Sequence, residues 1–392
     1  MKRFPTITSA HRALLLAFGI IVLLVLLAIR TDKGSTDPCF GKDDQCRKLY
    51  IERIVQGQGP QKALAIVAGW YDENTQMGGL CHDLTHLIGR AAEEEFSQGK
   101  DIEASEKMAY CSYGFYHGFM EALVSRGQDM DEAQAFCQKV DAQLSQKTPD
   151  ASLQCFHGIG HGTVNNHDPA TWGSERAMID PAIALCEQAA GTKEERSRCA
   201  TGVFNGIAMF YLNGQYELAV NTKDPLWICR EYSDVYRDAC YMSMNIVLLD
   251  VAQGDLGESA RFIEEIPEDE MAAHAMINLS APISLTRGTQ DSREVFATCR
   301  TLQERLRTPC IQGYAYGFLE HGRPGHEYRE PLALCASTDL TPEEQEGCFT
   351  YIFGYFRQWY AKEKIKTICA DIEKIDRAKQ CELIALTQQY EQ

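Results

Sequence analysis

Twelve of the sixteen cysteines in this 392-residue chain fall into six pairs of nearly constant separation, and that regularity restricts the fold more than any other feature. Cys137 precedes Cys155, Cys186 precedes Cys199, Cys229 precedes Cys240, Cys299 precedes Cys310, Cys335 precedes Cys348 and Cys369 precedes Cys381. Each first cysteine ends an amphipathic segment, as in Pro-Ala-Ile-Ala-Leu-Cys186. A charged, turn-like stretch follows, and each second cysteine opens a segment rich in apolar, glycine and aromatic residues. Two helices joined by a turn and stapled across it satisfy this pattern. A staple over a loop of about 11–18 residues contributes about 3 kcal/mol in the chain-entropy model.

The second cysteines stand at 155, 199, 240, 310, 348 and 381. The long step from 240 to 310 contains Met271–Leu285, which reads as a repeat without its cysteines. Cys81 and Cys111 extend the series backwards, giving about nine units of roughly 35–44 residues. Helical hairpins of that period stack into an α-solenoid or close into an α/α toroid. No segment alternates as a strand does, so the expected fold is all-α, an array of about nine disulfide-stapled helical hairpins. Cys39 and Cys46 are expected to pair locally. Cys81 and Cys111 either bridge two successive units or leave one thiol free.

Gly114/Gly118, Gly158/Gly162, Gly202/Gly206 and Gly313/Gly317 lie four apart, three and seven residues after their cysteine. Each mid-helix glycine costs about 1 kcal/mol against alanine in water. Four such pairs imply an offsetting gain, and close helix packing on a crowded inner wall supplies one.

The N-terminus sets the compartment. Residues 1–12 form a basic tail with Lys2, Arg3 and Arg12, followed by the apolar run Ala13–Ile29 closed by Arg30. A helix of that length spans about 25 Å, enough for a short membrane crossing. The run exceeds a signal-peptide core and no small-x-small cleavage site follows it. It reads as a transmembrane signal anchor, with a cleaved signal peptide as the alternative. Basic flanks stay inside. Residues 30–38 then form a tether, and residues 39–392 an extracytoplasmic domain in which disulfides persist. The formal net charge of −17 and the absence of a Lys/Arg block argue against nucleic acid as a partner.

Five of the ten histidines crowd into residues 81–162, inside Cys-His-Asp-Leu-Thr-His (81–86), Tyr-His-Gly-Phe-Met-Glu (116–121) and Cys-Phe-His-Gly-Ile-Gly-His (155–161). His82/His86, His117/Glu121 and His157/His161 are each spaced i, i+4, which places both members on one helix face. Three such pairs on successive inner helices point to one cavity holding a transition metal, with zinc, iron or copper as the candidate cofactor. Asp83, Glu93 and Glu94 are candidate acceptors for the outer imidazole nitrogens. Arg90 falls on nearly the same face as His82, where it would meet an anionic substrate. His167, His274, His321 and His326 lack paired partners and read as core or loop residues. Later units place Asn205 and Tyr316 where His117 and His161 stand, so a polar, hydrogen-bonded inner face explains part of the pattern without a metal.

The stretch Cys-Ala-Thr-Gly-Val-Phe-Asn-Gly-Ile-Ala-Met-Phe-Tyr-Leu-Asn-Gly (199–214) resembles the cysteine-rich Sel1-like repeats of secreted proteins in its order of cysteine, glycine and aromatic. The cysteine separation here is longer and the alanine signature irregular. The resemblance implies stacked helical hairpins and carries no functional residue.

Two functions fit these features. One is a membrane-anchored metal site, extended to a metal-dependent enzyme in which Glu121 acts as ligand or general base. The other is a scaffold whose concave face holds a protein, peptide or glycan partner and whose histidines are structural.

Overall fold

The computed structural model describes residues 37–39, 43–127, 129–164 and 168–387. The apolar run Ala13–Ile29 lies outside them, as does His167. Among the described residues no helix is long and apolar enough to cross a membrane. The chain divides into two units, Met1–Arg47 and Lys48–Gln392. In the first, Cys39 and Cys46 form the expected local bridge. The Asp37 carboxylate accepts the Cys39 N–H at 2.8 Å and pairs with Arg47 at 2.7 Å.

In chain order the helices are α1 (Asp44–Gln58), α2 (Pro60–Glu73), α3 (Gly78–Ser97), α4 (Gly114–Gly127), α5 (Met130–Leu144), α6 (Ala151–Val164), α7 (Glu175–Ala189) and α8 (Lys193–Asn213). There follow α9 (Asp234–Ser243), α10 (Asn245–Val251), α11 (Leu256–Glu264), α12 (Asp269–Ser280), α13 (Ile283–Thr286), α14 (Ser292–Thr301) and α15 (Glu304–Glu320). The last four are α16 (Arg329–Cys335), α17 (Pro342–Trp359), α18 (Lys362–Ala370) and α19 (Ile375–Thr387). The described residues contain no strand.

Local chemistry fixes where the hairpins turn. Thr192 and Glu195 cap each other's backbone in a reciprocal box that opens α8, and Thr341 with Glu344 does the same for α17. Asp129 and Ser174 cap α5 and α7 through their side chains. Each such cap is worth about 1 kcal/mol. The charged stretches between paired cysteines are therefore helix starts rather than open loops.

All six expected pairs are bridged, and Cys81 joins Cys111 across two successive units. No cysteine is free. Eight disulfides point to an oxidising, extracytoplasmic compartment. Helices α11 and α12 fill the 240–310 gap as a unit without a bridge.

The inner helices α3, α4, α6, α8, α9, α12, α15, α17 and α19 pack each on the next. Their core is aromatic and fully buried, with Phe115, Phe119, Phe156, Phe204 and Phe353 at its centre. The glycine strips are crossing points. A methyl group on Gly118 would collide with the His86 carbonyl oxygen, and one on Gly202 with that of His157. Backbones can approach that closely only where no Cβ intervenes. The glycines thereby set the spacing of the helices that carry the histidines.

Late helices return to early ones. The Tyr71 hydroxyl donates to the His321 carbonyl at 3.2 Å, and Ser112 Oγ lies 3.3 Å from His321 Nδ1. The Asp150 N–H donates to the Gln358 carbonyl at 3.2 Å. Behind this seam Arg198 faces the buried Asp150 carboxylate at 3.5 Å, which also accepts from Gln154 Nε2 at 2.5 Å.

Candidate metal centre

Helices α3, α4 and α6 are consecutive inner helices, so their i, i+4 pairs share one side of the array. His117 is buried, while His157 and His161 are half-buried. The ring centroids of His117 and His161 are 4.7 Å apart, and each is 5.0 Å from that of His157. One nitrogen from each of these rings lies within 4.8 Å of the others, so the three imidazoles could hold one metal ion.

The outer nitrogens are already occupied. His157 Nδ1 lies 2.8 Å from Thr201 Oγ1, whose own O–H donates to the Arg198 carbonyl at 2.7 Å. With its proton committed, Thr201 can only accept, so His157 carries its proton on Nδ1 and leaves Nε2 as a lone pair. His161 hydrogen-bonds Asn205, and its Nε2 is buried with no partner. The Asn205 bond is therefore at Nδ1.

His82 has both nitrogens engaged, Nδ1 with the Cys111 carbonyl at 3.1 Å and Nε2 with His117 Nδ1 at 3.2 Å. It sits behind His117. His86 Nε2 lies 3.3 Å from Glu121, whose other oxygen accepts from Arg90 at 3.0 Å. The six expected side chains are thus neighbours, but they separate into a triad (His117, His157, His161), a support (His82) and a rim pair (His86, Glu121). The other expected acceptors are spent elsewhere. Asp83 pairs with Lys48 at 3.2 Å, and Glu93 with Arg126 at 2.8 Å. Glu94 lines the groove described below. Of the histidines without paired partners, His274 forms an ion pair with Asp238 at 3.0 Å, which holds its imidazole above the usual value.

Electrostatics keeps the triad neutral. Burial, then the neighbouring imidazoles, push His117 well below the ordinary histidine value. His157 is depressed by burial, His161 and the Arg198 guanidinium. His161 falls to about 4, mainly by burial, against a smaller opposing pull from Glu121. His82 is lowered by burial and His86. Burial would raise Glu121, but the hydrogen bond from His86 and the charges of His86, His161 and Arg90 outweigh it and pull the carboxyl to about 2.

A groove of about 930 Å³ opens on the cluster. His82, His86, His117, His161, Arg90 and Glu121 line it, with Met209, Phe210 and Tyr216 opposite. His157 is not on that lining. A bound ion would therefore be held from one side and face the groove on the other.

Thr201, Asn205 and the Cys111 carbonyl are the partners that sequence reading did not assign. The repeat held the signal for two of them. Thr201 stands two residues after Cys199, as His157 stands after Cys155, and Asn205 matches His161 at six. Equivalent positions on adjacent inner helices touch, so His117 meets His161, His157 meets Thr201 and His161 meets Asn205.

No family model, curated protein or solved structure matches this chain, and the Sel1-like resemblance remains one of hairpin architecture.

Proposed function

We propose that the chain is a membrane-anchored, extracytoplasmic repeat protein whose function rests on a transition-metal centre formed by His117, His157 and His161. The observation that carries this reading is His161 Nε2, buried without a partner beside two imidazoles whose other nitrogens are committed. An unsatisfied buried polar atom costs about 1–3 kcal/mol, and an ion would remove that cost. Neutral imidazoles suit zinc, iron or copper. Three histidines with an open fourth position is the arrangement of catalytic zinc sites, which favours zinc and a metal-dependent enzyme. Such an ion supplies Lewis acidity and an acidified water.

The chain's own residues have separable tasks. His82 fixes the tautomer of His117. Thr201 does the same for His157, and Asn205 occupies the Nδ1 side of His161. Arg90, at the groove, meets an anionic group of the substrate. Glu121 neutralises Arg90 and orients His86, and these partners hold its carboxyl below the usual carboxylate range.

A scaffold function with structural histidines draws support from the hydrogen bonds of His82, His117 and His157. Metal analysis separates the two readings. Full-chain protein with intact disulfides is expected to hold about one equivalent of a transition metal, lost in His117→Ala/His161→Ala. Less than about 0.2 equivalents after re-metallation would favour the scaffold.

A further inference from the structure

A second cavity, of about 410 Å³, lies at the seam where late helices meet early ones, and the Cys111–Tyr113 part of its wall precedes His117 by four to six residues. Tyr110 and Tyr113 enter it from the turn before α4, Trp359 and Tyr360 from the end of α17, and Glu320 and Glu327 from the end of α15 and the turn beyond it. Its size falls in the range of small-molecule sites, roughly 300–1,000 Å³.

The turn that brings Tyr113 to the wall is strained. Cys111, Ser112 and Tyr113 take φ of 59°, 52° and 60°, three consecutive non-glycine residues in the left-handed region. Each costs about 1–2 kcal/mol. The Cys81–Cys111 bridge and the Ser112–His321 contact hold the turn in place. Strain of this kind persists where surroundings over-determine the backbone, and it concentrates at ligand sites.

The charges do not balance within the cavity. Lys147 is matched by Glu106 at 3.1 Å, and Lys364 sits 5.6 Å from the centre of the Tyr328 ring. Glu327 accepts from the Tyr360 hydroxyl at 2.8 Å and from the Gly325 N–H at 2.9 Å. Neither donor is a cation, and no Lys or Arg among the described residues forms an ion pair with Glu327. Burial raises the Glu327 carboxyl. Tyr110 is raised to about 12 by burial and by Asp72, Glu327 and Glu106. The lining carries three carboxylates, Glu106, Glu320 and Glu327, against two lysines, Lys147 and Lys364, of which Lys364 partly offsets the effect of burial on Glu327, and five aromatic rings.

We infer that this cavity binds an organic ammonium ion, with its cationic head against the faces of Tyr113 and Trp359 and Glu327 as its counter-ion. Tyrosine and tryptophan faces attract desolvated cations by about 0.5–2 kcal/mol each. An inorganic cation would want several converging oxygen ligands, and among the described residues no three carboxylates of this wall come together to hold one. An anion would meet Glu320 and Glu327.

Calorimetric titration of the full-chain protein with choline and with 3,3-dimethylbutan-1-ol, its neutral isostere, tests this without any variant. Choline is expected to bind one site at least about tenfold tighter than the alcohol. Glu327→Gln is expected to remove most of that preference while leaving the weak alcohol binding in place. His161→Ala, in the triad, is expected to leave choline affinity unchanged, which separates this site from the metal centre. An n-alkylammonium that binds in place of choline, again above its neutral alcohol, supports the site with a hydrogen-bonding head. Equal affinity for charged and neutral probes, no binding of either ammonium, or an undiminished preference in a Glu327→Gln protein that melts like wild type would overturn it.

Discussion

His117 Nδ1 lies 3.2 Å from His82 Nε2, and that contact decides which atom of His117 is available to an ion. The constraint begins one bond further out. The Cys111 carbonyl can only accept, so His82 carries its proton on Nδ1 and presents Nε2 as an acceptor. His117 must then donate from Nδ1, which leaves its Nε2 with a lone pair. A backbone carbonyl thereby sets the tautomer of a histidine two hydrogen bonds away.

His82 should accordingly behave as a support and His161 as a ligand. His82→Ala is expected to weaken metal binding about 10–100-fold, the usual effect of losing an outer partner. His161→Ala should abolish stoichiometric binding. Competition against a chelator of known affinity measures both. Equal losses in the two variants would make His82 a ligand in its own right.

Acid should destabilise the metal-free protein through the triad. A histidine whose folded pKa lies below its unfolded value is neutral in both states at high pH and costs nothing there. As pH falls below 6.5 the unfolded chain takes up a proton that the folded chain refuses. For His161, displaced from 6.5 to about 4, the full penalty is on the order of 3 kcal/mol. Glu121 has the same sign at lower pH, stabilising the fold above 4.5 and losing that contribution as pH falls towards 2. Chemical denaturation at a series of pH values should therefore show wild type losing more stability than His161→Asn between pH 6.5 and 4. Parallel curves for the two proteins would mean that His161 titrates normally.

Gly118 and Gly69 make a matched pair of substitutions. Both lie within helices, but a Cβ at Gly69 meets nothing within 4 Å, whereas one at Gly118 meets the His86 carbonyl. Gly69→Ala is expected to stabilise by up to about 1 kcal/mol through helix propensity. Gly118→Ala should destabilise by about 1–3 kcal/mol and weaken metal binding, because α3 and α4 must separate. Urea unfolding combined with the chelator titration reads both effects. A neutral Gly118→Ala would remove close helix contact as the reason for the glycine strip.

The Cys81–Cys111 bridge should matter twice. It closes a 30-residue separation, for which the chain-entropy model gives about 3–4 kcal/mol. It also holds the carbonyl that fixes His82. Cys81→Ser/Cys111→Ser is expected to lower both stability and metal affinity. Cys369→Ser/Cys381→Ser, at the other end of the array, should lower stability alone. If both double variants retain full metal affinity, the bridge has no part in ordering the centre.

The sequence by itself determined what repeats. Paired cysteines at most 18 residues apart report hairpins because both members lie on adjoining helices. Spacing of i, i+4 reports a shared helix face, and glycines at the same interval report a crossing. Local geometry dictates all three, so they are legible without a structure. The same spacing picked out three pairs of side chains, each sharing one helix face, as the expected site. Only the tertiary structure decided how those six divide. Asp83 and Glu93 were reasonable partners by proximity in sequence, yet Lys48 and Arg126 take them from other elements. Thr201 and the Cys111 carbonyl reach the histidines across helix interfaces, at sequence distances of 44 and 29 residues. The seam is more remote still, with Tyr71 bonded to His321 over 250 residues. Hydrogen-bond direction and the seam between late and early helices depend on how whole helices dock, and no short-range periodicity encodes that.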